Sequence, residues 1–237
     1  MRELRIAAVG DVHLDESLRG RYREQLRDID RHADVLLLAG DLTRHGTLEE
    51  AQVVADEFRD LPIPVVAVLG NHDHHSDLPA EIATLLSDAG IKVLHDDAAV
   101  LDIDGVRLGV VGGKGFGGGY AGKCASDFGE REIKAFVEHT KRIADRWRVA
   151  LKELQADRRI VLSHYSPVKD TLEGEPLEIY PFLGSYLLAE AVDAEGADLI
   201  IHGHAHAGKE KGITPGGIRV RNVALPVLGR AYGVYCL

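Results

Sequence analysis

The chain has 237 residues, of which 45% are hydrophobic and 28% charged, together with 26 glycines and 8 prolines. This composition is typical of a soluble globular protein and excludes a disordered chain, a collagen-like repeat and a membrane-spanning protein. The 38 acidic residues outnumber the 28 basic ones and give a formal net charge of -10, so tight binding of a polyanion requires a local source of positive charge.

Five short segments along the chain are almost continuously apolar, as in strands that are covered on both faces. They comprise residues 4–9, 35–39, 63–69, 160–162 and 199–201. Helix-forming stretches at residues 16–32 and 47–60 separate the first three strands and are long enough for crossover connections. The sequence therefore predicts a β-α-β-α-β opening.

The middle of the chain has a different pattern. Residues 93–94, 98–102 and 106–111 indicate short strands, and Asp104-Gly105 is a favoured hairpin turn between the last two, so we expect a β-meander edge. From Glu130 to Ala156, apolar residues recur every three or four positions, which predicts one long amphipathic helix lying on the sheet.

The last third of the chain begins with an irregular segment. Residues 165–184 show no period and contain three prolines, which indicates a loop that is functional or mobile. A helix at residues 185–195 and strands at 199–201, 218–223 and 232–236 follow. Because neither a repeat nor a low-complexity linker interrupts the sequence, we predict a single layered α/β domain over residues 1–237.

The cysteines and the first residues bear on the cellular compartment. Cys124 and Cys236 form no Cys-x-x-Cys pair, so neither a disulfide framework nor a thiolate zinc site is expected. Charges interrupt the apolar run in the first ten residues, and no signal-peptide core is visible. We expect a cytoplasmic protein without membrane association.

Polar side chains follow each of the five buried strands at the point where the strand ends. Because the carboxyl ends of parallel strands share one edge of a sheet, where ligand crevices form, we expect these side chains to converge. Asp11 and His13 are two apart and point the same way on an extended backbone, as do His204 and His206. The sequence thus predicts two chelating pairs facing a common centre.

The donor set indicates a pair of metal ions. Carboxylate, imidazole and amide oxygen without thiolate suit Mn, Fe, Co, Ni or Zn. The ligands are too many for one ion, and Asp41 stands alone between the pairs, so a carboxylate that bridges two ions is the economical arrangement. Two divalent ions also provide the local positive charge that an acidic chain needs for an anionic substrate.

Such a centre has a defined chemistry. Two ions lower the pKa of a bridging water towards about 7 and clamp the oxygens of a phosphoryl group, so a metal-bridging hydroxide is the expected nucleophile. His72 follows the candidate ligand Asn71 and is the best candidate general acid for the leaving alkoxide. Asp73 either orients His72 or caps the turn that follows.

The ordered motifs carry a family resemblance. They are Gly10-Asp-Val-His13, Gly40-Asp41, Gly70-Asn-His-Asp73, a lone His164 after a strand, and Gly203-His-Ala-His206. This set resembles the calcineurin-like metallophosphoesterase superfamily over residues 10–206. The resemblance implies a four-layer α-β-β-α sandwich with mixed sheets and a metal site at the strand carboxyl ends.

The resemblance also implies roles for individual residues. It implies that one metal is held by Asp11, His13, Asp41 and His206. It implies that the other is held by Asp41, Asn71, His164 and His204, with His72 beside the scissile bond. No ligand position is missing. The segment after Asp41, Leu42-Thr-Arg-His-Gly46, differs from the Asp-Arg-Gly pattern of the protein Ser/Thr phosphatase branch, which disfavours a phosphoprotein substrate.

Three further residues are candidates for substrate contact. Arg44 and His45 come just after Asp41, and Tyr165 directly follows His164; an ordinary loop role is the alternative for each. The stretch 117–124 nearly matches a nucleotide-binding P-loop, but Cys124 replaces the hydroxyl that would bind magnesium. Residues 112–119 indicate instead a rim loop beside the metal edge, where Lys114, Phe116, Tyr120 or Lys123 could contact substrate; the alternative is an irregular connection that needs positive φ. Segments 112–126 and 165–184 are candidates for a lid.

We therefore predict a metal-dependent phosphoesterase that uses two divalent ions to hydrolyse P–O bonds of a small or medium phosphomonoester or phosphodiester. One alternative is a DNA or RNA nuclease with the same dinuclear centre, which the acidic charge balance disfavours. The other is a non-catalytic protein-binding scaffold of the same fold, against which the seven intact ligand positions argue.

Overall fold

The computed structural model describes residues 2–237, and its strands form two large sheets and one small hairpin. In chain order the strands are β1 (Arg5–Val9), β2 (Val35–Ala39), β3 (Val65–Val68), β4 (Lys92–Leu94), β5 (Asp97–Ile103), β6 (Val106–Gly113), β7 (Gly119–Tyr120), β8 (Lys123–Cys124), β9 (Arg158–Ser163), β10 (Leu199–His202), β11 (Lys211–Ile213), β12 (Arg219–Asn222) and β13 (Gly233–Cys236).

Seven α-helices lie in the described residues. They are α1 (Arg21–Gln25), α2 (Leu48–Phe58), α3 (Pro79–Asp88), α4 (Arg131–Glu153), α5 (Tyr180–Leu183), α6 (Tyr186–Glu195) and α7 (Leu225–Leu228). Thr47 and Ser185 begin α2 and α6, because their side-chain oxygens accept hydrogen bonds from backbone N–H groups of the first turn. Over residues 2–237, no helix combines the length and the apolar composition needed to span a bilayer.

The first sheet has the strand order β13-β1-β2-β3-β4. Strands β1 to β4 are parallel, and β13 is antiparallel to β1. Val9 lies opposite Leu38 in the β1–β2 register, and Ala39 lies opposite Val68 in the β2–β3 register. The carboxyl ends of the three strands therefore lie side by side.

The second sheet has the order β11-β12-β10-β9-β6-β5. Its four inner strands are parallel, and the edge strands β11 and β5 are antiparallel to their neighbours. Gly113 lies opposite Ser163 in the β6–β9 register, so these two strands also end side by side.

Three apolar layers hold the sheets and helices together. In β2, Leu37 faces the second sheet while Leu36 and Leu38 face helices, as the two-residue period of a strand requires. The layer between the sheets joins residues such as Leu37 to Leu162. Helices α1 to α3 cover the outer face of the first sheet, and α4 and α6, with the fully buried Trp147, cover that of the second. The predicted four-layer α-β-β-α fold is confirmed.

The predicted helix over residues 16–32 is wrong in extent. Two 3-10 turns, Glu16–Leu18 and Ile29–Arg31, flank the five-residue α1. Gly20 precedes α1 with a φ of 83°, and the buried carboxylate of Glu57 in α2 accepts hydrogen bonds from the N–H groups of Gly20 and Tyr22. This contact from another helix fixes a turn where the local pattern indicated continuous helix.

The predicted β-meander is also wrong. Strand β4 pairs with β3 in the first sheet, while β5 and β6 form a hairpin in the second. The chain crosses between the sheets at Asp96, whose φ is 57° and whose carboxylate accepts a hydrogen bond of 3.1 Å from Nε1 of Trp147. A local strand pattern does not distinguish neighbours in one sheet from strands in facing sheets.

Candidate metal centre

The polar motifs of both sheets meet at one edge of the sandwich. One group with ligand atoms within 4.8 Å of one another consists of Asp11, His13, Asp41 and His206. A second such group consists of Asp41, His164 and His204. Asp41 belongs to both groups, and Oδ1 of Asn71 lies 3.0 Å from Nε2 of His164 in the second. The structure therefore brings all seven predicted ligands together.

Three of the four paired ligands, Asp11, His13 and His204, do not lie on extended backbone, so that part of the prediction is wrong. Asp11, His13, Asp41 and His204 have φ angles of 57°, 43°, 50° and 70°. This left-handed region costs a residue other than glycine about 1 to 3 kcal/mol and is concentrated at functional sites. The N–H of Asp11 donates to the carbonyl of Gly40 at 2.9 Å, and that of His13 to the carbonyl of Asp41 at 3.0 Å. The side chains converge because tight turns aim them inward.

Two glycines make room for the carboxylates. A side chain at Gly70 would collide with the carboxylate of Asp41, and one at Gly203 would collide with that of Asp11. Each glycine belongs to a motif that supplies other ligands. The exit loops of the two sheets therefore approach the carboxylates more closely than any larger residue permits.

Among residues 2–237, neither of the two carboxylates has a Lys or Arg partner. Asp11 and Asp41 are buried, and in the described residues their only potentially cationic neighbours within 4 Å are histidines. Burial, together with the nearby Asp41, raises the pKa of Asp11 to about 6, although hydrogen bonding to His206 opposes this shift. A buried carboxylate pair of this kind calls for positive charge from a bound cation.

The hydrogen bonds of His164 and His204 to backbone carbonyls leave the opposite nitrogen of each ring available. Nδ1 of His164 donates to the carbonyl of Ala39 at 2.9 Å, and Nε2 of His204 donates to the carbonyl of Phe182 at 3.2 Å. The opposite nitrogens therefore carry lone pairs in the neutral rings. Burial lowers the pKa of His164 well below its ordinary value and that of His204 to about 3, which favours the neutral, ligating form. The donor set fits divalent metal ions.

Comparison with protein families decides the classification. Residues 4–208 match the calcineurin-like phosphoesterase family. The chain belongs to this family. Among curated proteins, none matches the chain.

Solved structures share the fold of this phosphoesterase at low sequence identity. The phosphopantetheinyl hydrolase of Mycobacterium tuberculosis has a TM-score of 0.65 at 14% identity, over 92% of this chain and 88% of that one. A putative 5'-nucleotidase from Staphylococcus aureus, in complex with alpha-ketoglutarate, has a TM-score of 0.60 at 16% identity, over 93% and 48%. GAP50, described as the anchor in the inner membrane complex of Plasmodium, has a TM-score of 0.56 at 16% identity, over 95% and 73%.

Asp73 holds two exit loops of the phosphoesterase in place. Its buried carboxylate accepts hydrogen bonds from the N–H groups of Gly70 at 2.8 Å and Thr43 at 2.8 Å, and from Oγ1 of Thr43 at 2.6 Å. It makes no hydrogen bond to His72 within the described chain, and it does not cap the turn that follows it. Asp73 instead ties the loop that carries Asp41 to the loop that carries Asn71.

His72 lies at the rim of the first ligand group. Its backbone N–H donates to Oδ1 of Asp41 at 2.8 Å, and its ring lies 4.5 Å from that of His13, centroid to centroid. Nδ1 donates to the carbonyl of Arg44 at 2.7 Å, so Nε2 is the nitrogen free to meet a substrate, and it lies 3.9 Å from Oδ2 of Asp41. The side chain remains 43% exposed, which leaves it accessible from solvent.

The three candidate substrate contacts have different environments. The guanidinium of Arg44 is paired with Asp15 at 2.9 Å. Nδ1 of His45 lies 2.8 Å from the Glu50 carboxylate. The ring of Tyr165 packs on a ligand, with its centroid 4.4 Å from that of the His204 ring. Tyr165 is therefore the one that touches the centre itself.

Sequence reasoning missed the backbone partners of the histidines. The carbonyl of Phe182 lies in the segment 165–184 and fixes the tautomer of His204, and the carbonyl of Ala39 does the same for His164. Because every residue has a carbonyl, the residue types at these positions carry no signal for this role.

Proposed function

We propose that this chain is a phosphoesterase with a dinuclear metal centre, which hydrolyses the P–O bond of a small or medium phosphoester. In this proposal Asp41 is shared between the two ions. One ion is held by Asp11, His13 and His206 with Asp41, and the other by Asn71, His164 and His204 with Asp41. The observation that carries the proposal is the pair of ligand groups that overlap at Asp41.

The chain's own residues prepare this chemistry. Two divalent ions from the set Mn, Fe, Zn, Co and Ni supply, when bound, a hydroxide nucleophile and charge stabilisation of the phosphoryl oxygens. The histidines are held as neutral donors by burial and by carbonyl partners. Asp73 fixes the spacing of the loops that carry Asp41 and Asn71.

His72 is the proposed general acid. Its Nδ1–H is held by the carbonyl of Arg44, so a protonated ring gives up the proton on Nε2 and becomes the neutral tautomer without losing that hydrogen bond. The proton passes from Nε2 to the oxygen of the leaving alkoxide. A positioned acid of this kind contributes a factor of about 10² to 10⁴ in rate.

Three observations bear on the rival functions. The net charge of -10 disfavours a nuclease, because phosphate contacts along a nucleic acid require clustered Lys and Arg. The fold alone does not separate an enzyme from a scaffold, since the Plasmodium anchor shares it. The complete ligand set favours the enzyme.

We also infer the organisation and compartment of the protein. The apolar layer shared by the two sheets supports a single domain over residues 1–237. Cys124 and Cys236 are exposed and form no disulfide, which supports a reducing compartment such as the cytoplasm.

The test combines metal analysis with a substrate panel. We expect about two divalent ions per purified chain and Mn-dependent turnover of an aryl monophosphate, an aryl diester or a cyclic nucleotide. Single-stranded DNA is included as the nuclease substrate. Absence of bound metal together with absence of turnover after addition of Mn would favour the scaffold and overturn the proposal.

A further inference from the structure

Lys114 lies beside the metal centre, on the side of the second sheet. It directly follows Gly113, the last residue of β6. Its carbonyl accepts hydrogen bonds from the N–H groups of His164 at 3.1 Å and Tyr165 at 3.0 Å. These bonds place Lys114 beside the carboxyl end of β9, which His164 directly follows.

The ammonium group of Lys114 has aromatic neighbours and no acidic partner. Nζ lies 4.8 Å from the centroid of the Phe116 ring and 5.1 Å from that of the Tyr165 ring. Lys141 and Lys209 each have a carboxylate within 4 Å, whereas Lys114 has none in residues 2–237. A partly dehydrated cation without a counter-ion has an unfavourable free energy, which an anionic ligand would offset.

The ammonium group of Lys114 also lies near the metal ligand groups. Burial lowers the pKa of Lys114, while the carboxylates of Asp96 and Asp41 oppose that shift. Lys114 in turn contributes to the lowered pKa of His164, behind the larger effect of burial. The geometry agrees, since Nζ lies 5.1 Å from the centroid of the Tyr165 ring, which itself lies 4.4 Å from that of the His204 ring.

We propose that Lys114 binds the phosphoryl oxygens of the substrate and selects a dianionic phosphomonoester; this inference rests on the proposed function. Asp11 and Asp41 cancel two of the four charges that two divalent ions bring, and a hydroxide cancels a third. Lys114 adds one charge, so about two negative charges on the substrate balance the site. Arg44 does not fill this role, because its guanidinium is already paired with Asp15.

The surrounding rings strengthen this anion site. Phe116 contacts Phe136 and Tyr165, with centroids 5.1 Å and 5.8 Å away, and Phe136 contacts Phe182 at 6.2 Å. The apolar rings exclude water from one side of the ammonium, which increases its attraction for an anion. Their faces also hold the ammonium in position through cation–π attraction.

The experiment uses the metal-loaded enzyme and the variants Lys114→Met and Lys114→Arg, with Lys152→Met as the control. Lys152 is an exposed lysine near the end of α4, so the control removes the same charge elsewhere. Metal content, the Ki of inorganic phosphate, and kcat and KM for p-nitrophenyl phosphate and bis-p-nitrophenyl phosphate are measured.

Lys114→Met should raise the Ki of phosphate and the KM for the monoester by about 10-fold or more, the loss expected for one charge-assisted hydrogen bond. The diester KM should change by less than about 3-fold, and metal content should not change. Lys114→Arg should recover part of the loss, and Lys152→Met should match the wild type. If Lys114→Met fails to fold in a thermal melt, Lys114→Gln carries the same expectations.

An unchanged Ki for phosphate in Lys114→Met would overturn the role of Lys114. Equal losses on monoester and diester, or a wild type that turns over only the diester, would overturn the monoester assignment while leaving the proposed function intact. A wild type that binds no metal and hydrolyses neither compound would instead refute the proposed function.

Discussion

Two rims border the metal centre, and their polar groups are satisfied to different degrees. The first-sheet rim consists of Arg44, His45 and His72, and each of these side chains has a partner within the protein. The second-sheet rim consists of Lys114, Phe116 and Tyr165, where an ammonium group faces aromatic rings and has no acidic partner in the described residues.

This difference distinguishes side chains that are held in position by the protein from a side chain that remains available to bind the substrate. Internal partners hold the His72 ring in one orientation, as a proton donor must be held, and they neutralise the Arg44 guanidinium. An unpaired ammonium keeps its attraction for a ligand. In the proposed mechanism, therefore, the first-sheet rim supplies the proton, and the second-sheet rim supplies the charge that holds the substrate.

Asp41→Asn should have the largest effect, because Asp41 belongs to both ligand groups. We expect turnover to fall by about 10³-fold or more and the metal content to drop below two ions per chain. The reason is that an amide does not replace the negative charge of a shared carboxylate. Metal analysis and kcat measure these losses. Asp88→Asn, at an exposed position at the end of α3, is the control. Full activity in Asp41→Asn would disprove the sharing of Asp41.

His72→Ala should have the next largest effect and should act on one rim only. We expect kcat for an alkyl phosphate to fall by about 10²-fold or more, because its leaving alkoxide needs a proton. Turnover of p-nitrophenyl phosphate should fall much less, since its leaving group is a weak base. Metal content should be unchanged, and His75→Ala serves as the neighbouring control. Equal losses on both substrates would contradict the role of His72 as general acid.

How much of the centre the sequence predicts is clearest from its ligands. The residue types at the ends of the apolar strands predicted that polar side chains converge, and the family resemblance named the seven side chains that meet. The conformations that bring them together were not predicted, because the left-handed backbone of Asp11 and Asp41 depends on hydrogen bonds between loops. Motifs specify which residues are present, and tertiary contacts set their backbone angles.

The rims and the fold likewise contain features that the sequence predicts and features that depend on tertiary contacts. Apolar strands and crossover helices predicted the layers, but β4 and β5 belong to different sheets. The chain crosses between them at Asp96, whose carboxylate accepts a hydrogen bond from the buried Trp147, 51 positions away. Arg44 was a reasonable anion contact from its neighbourhood in sequence. Its pairing with Asp15, which lies 29 positions away, is a tertiary contact that no local pattern reveals.

Removal of metal should lower the stability of the whole sandwich by a moderate amount. Burial of the Asp11 and Asp41 carboxylates and the left-handed backbone of these residues both cost free energy. Bound cations offset this cost, and their removal leaves it uncompensated. At a metal concentration 100 times its Kd, each bound ion stabilises the folded state by about 2.7 kcal/mol, which corresponds to a Tm shift of about 5 to 10 °C per ion for a chain of this size. Scanning calorimetry with and without a chelator measures the shift. We expect the Tm of Asp41→Asn to respond less to the chelator than that of the wild type. A wild-type Tm that does not change on addition of the chelator would count against metal binding.

Arg44→Met should have the smallest effect and gives the most direct test of the comparison between the rims. The exposed ion pair between Arg44 and Asp15 adds little to stability, and its loss should leave KM for p-nitrophenyl phosphate within about 3-fold of the wild type. The carbonyl that orients His72 is retained, since the backbone of residue 44 is unchanged. A rise of 10-fold or more in KM would mean that the guanidinium leaves Asp15 for the substrate. The first-sheet rim would then bind the anion as well as donate the proton, and Arg44 would share the role that the structure favours for Lys114.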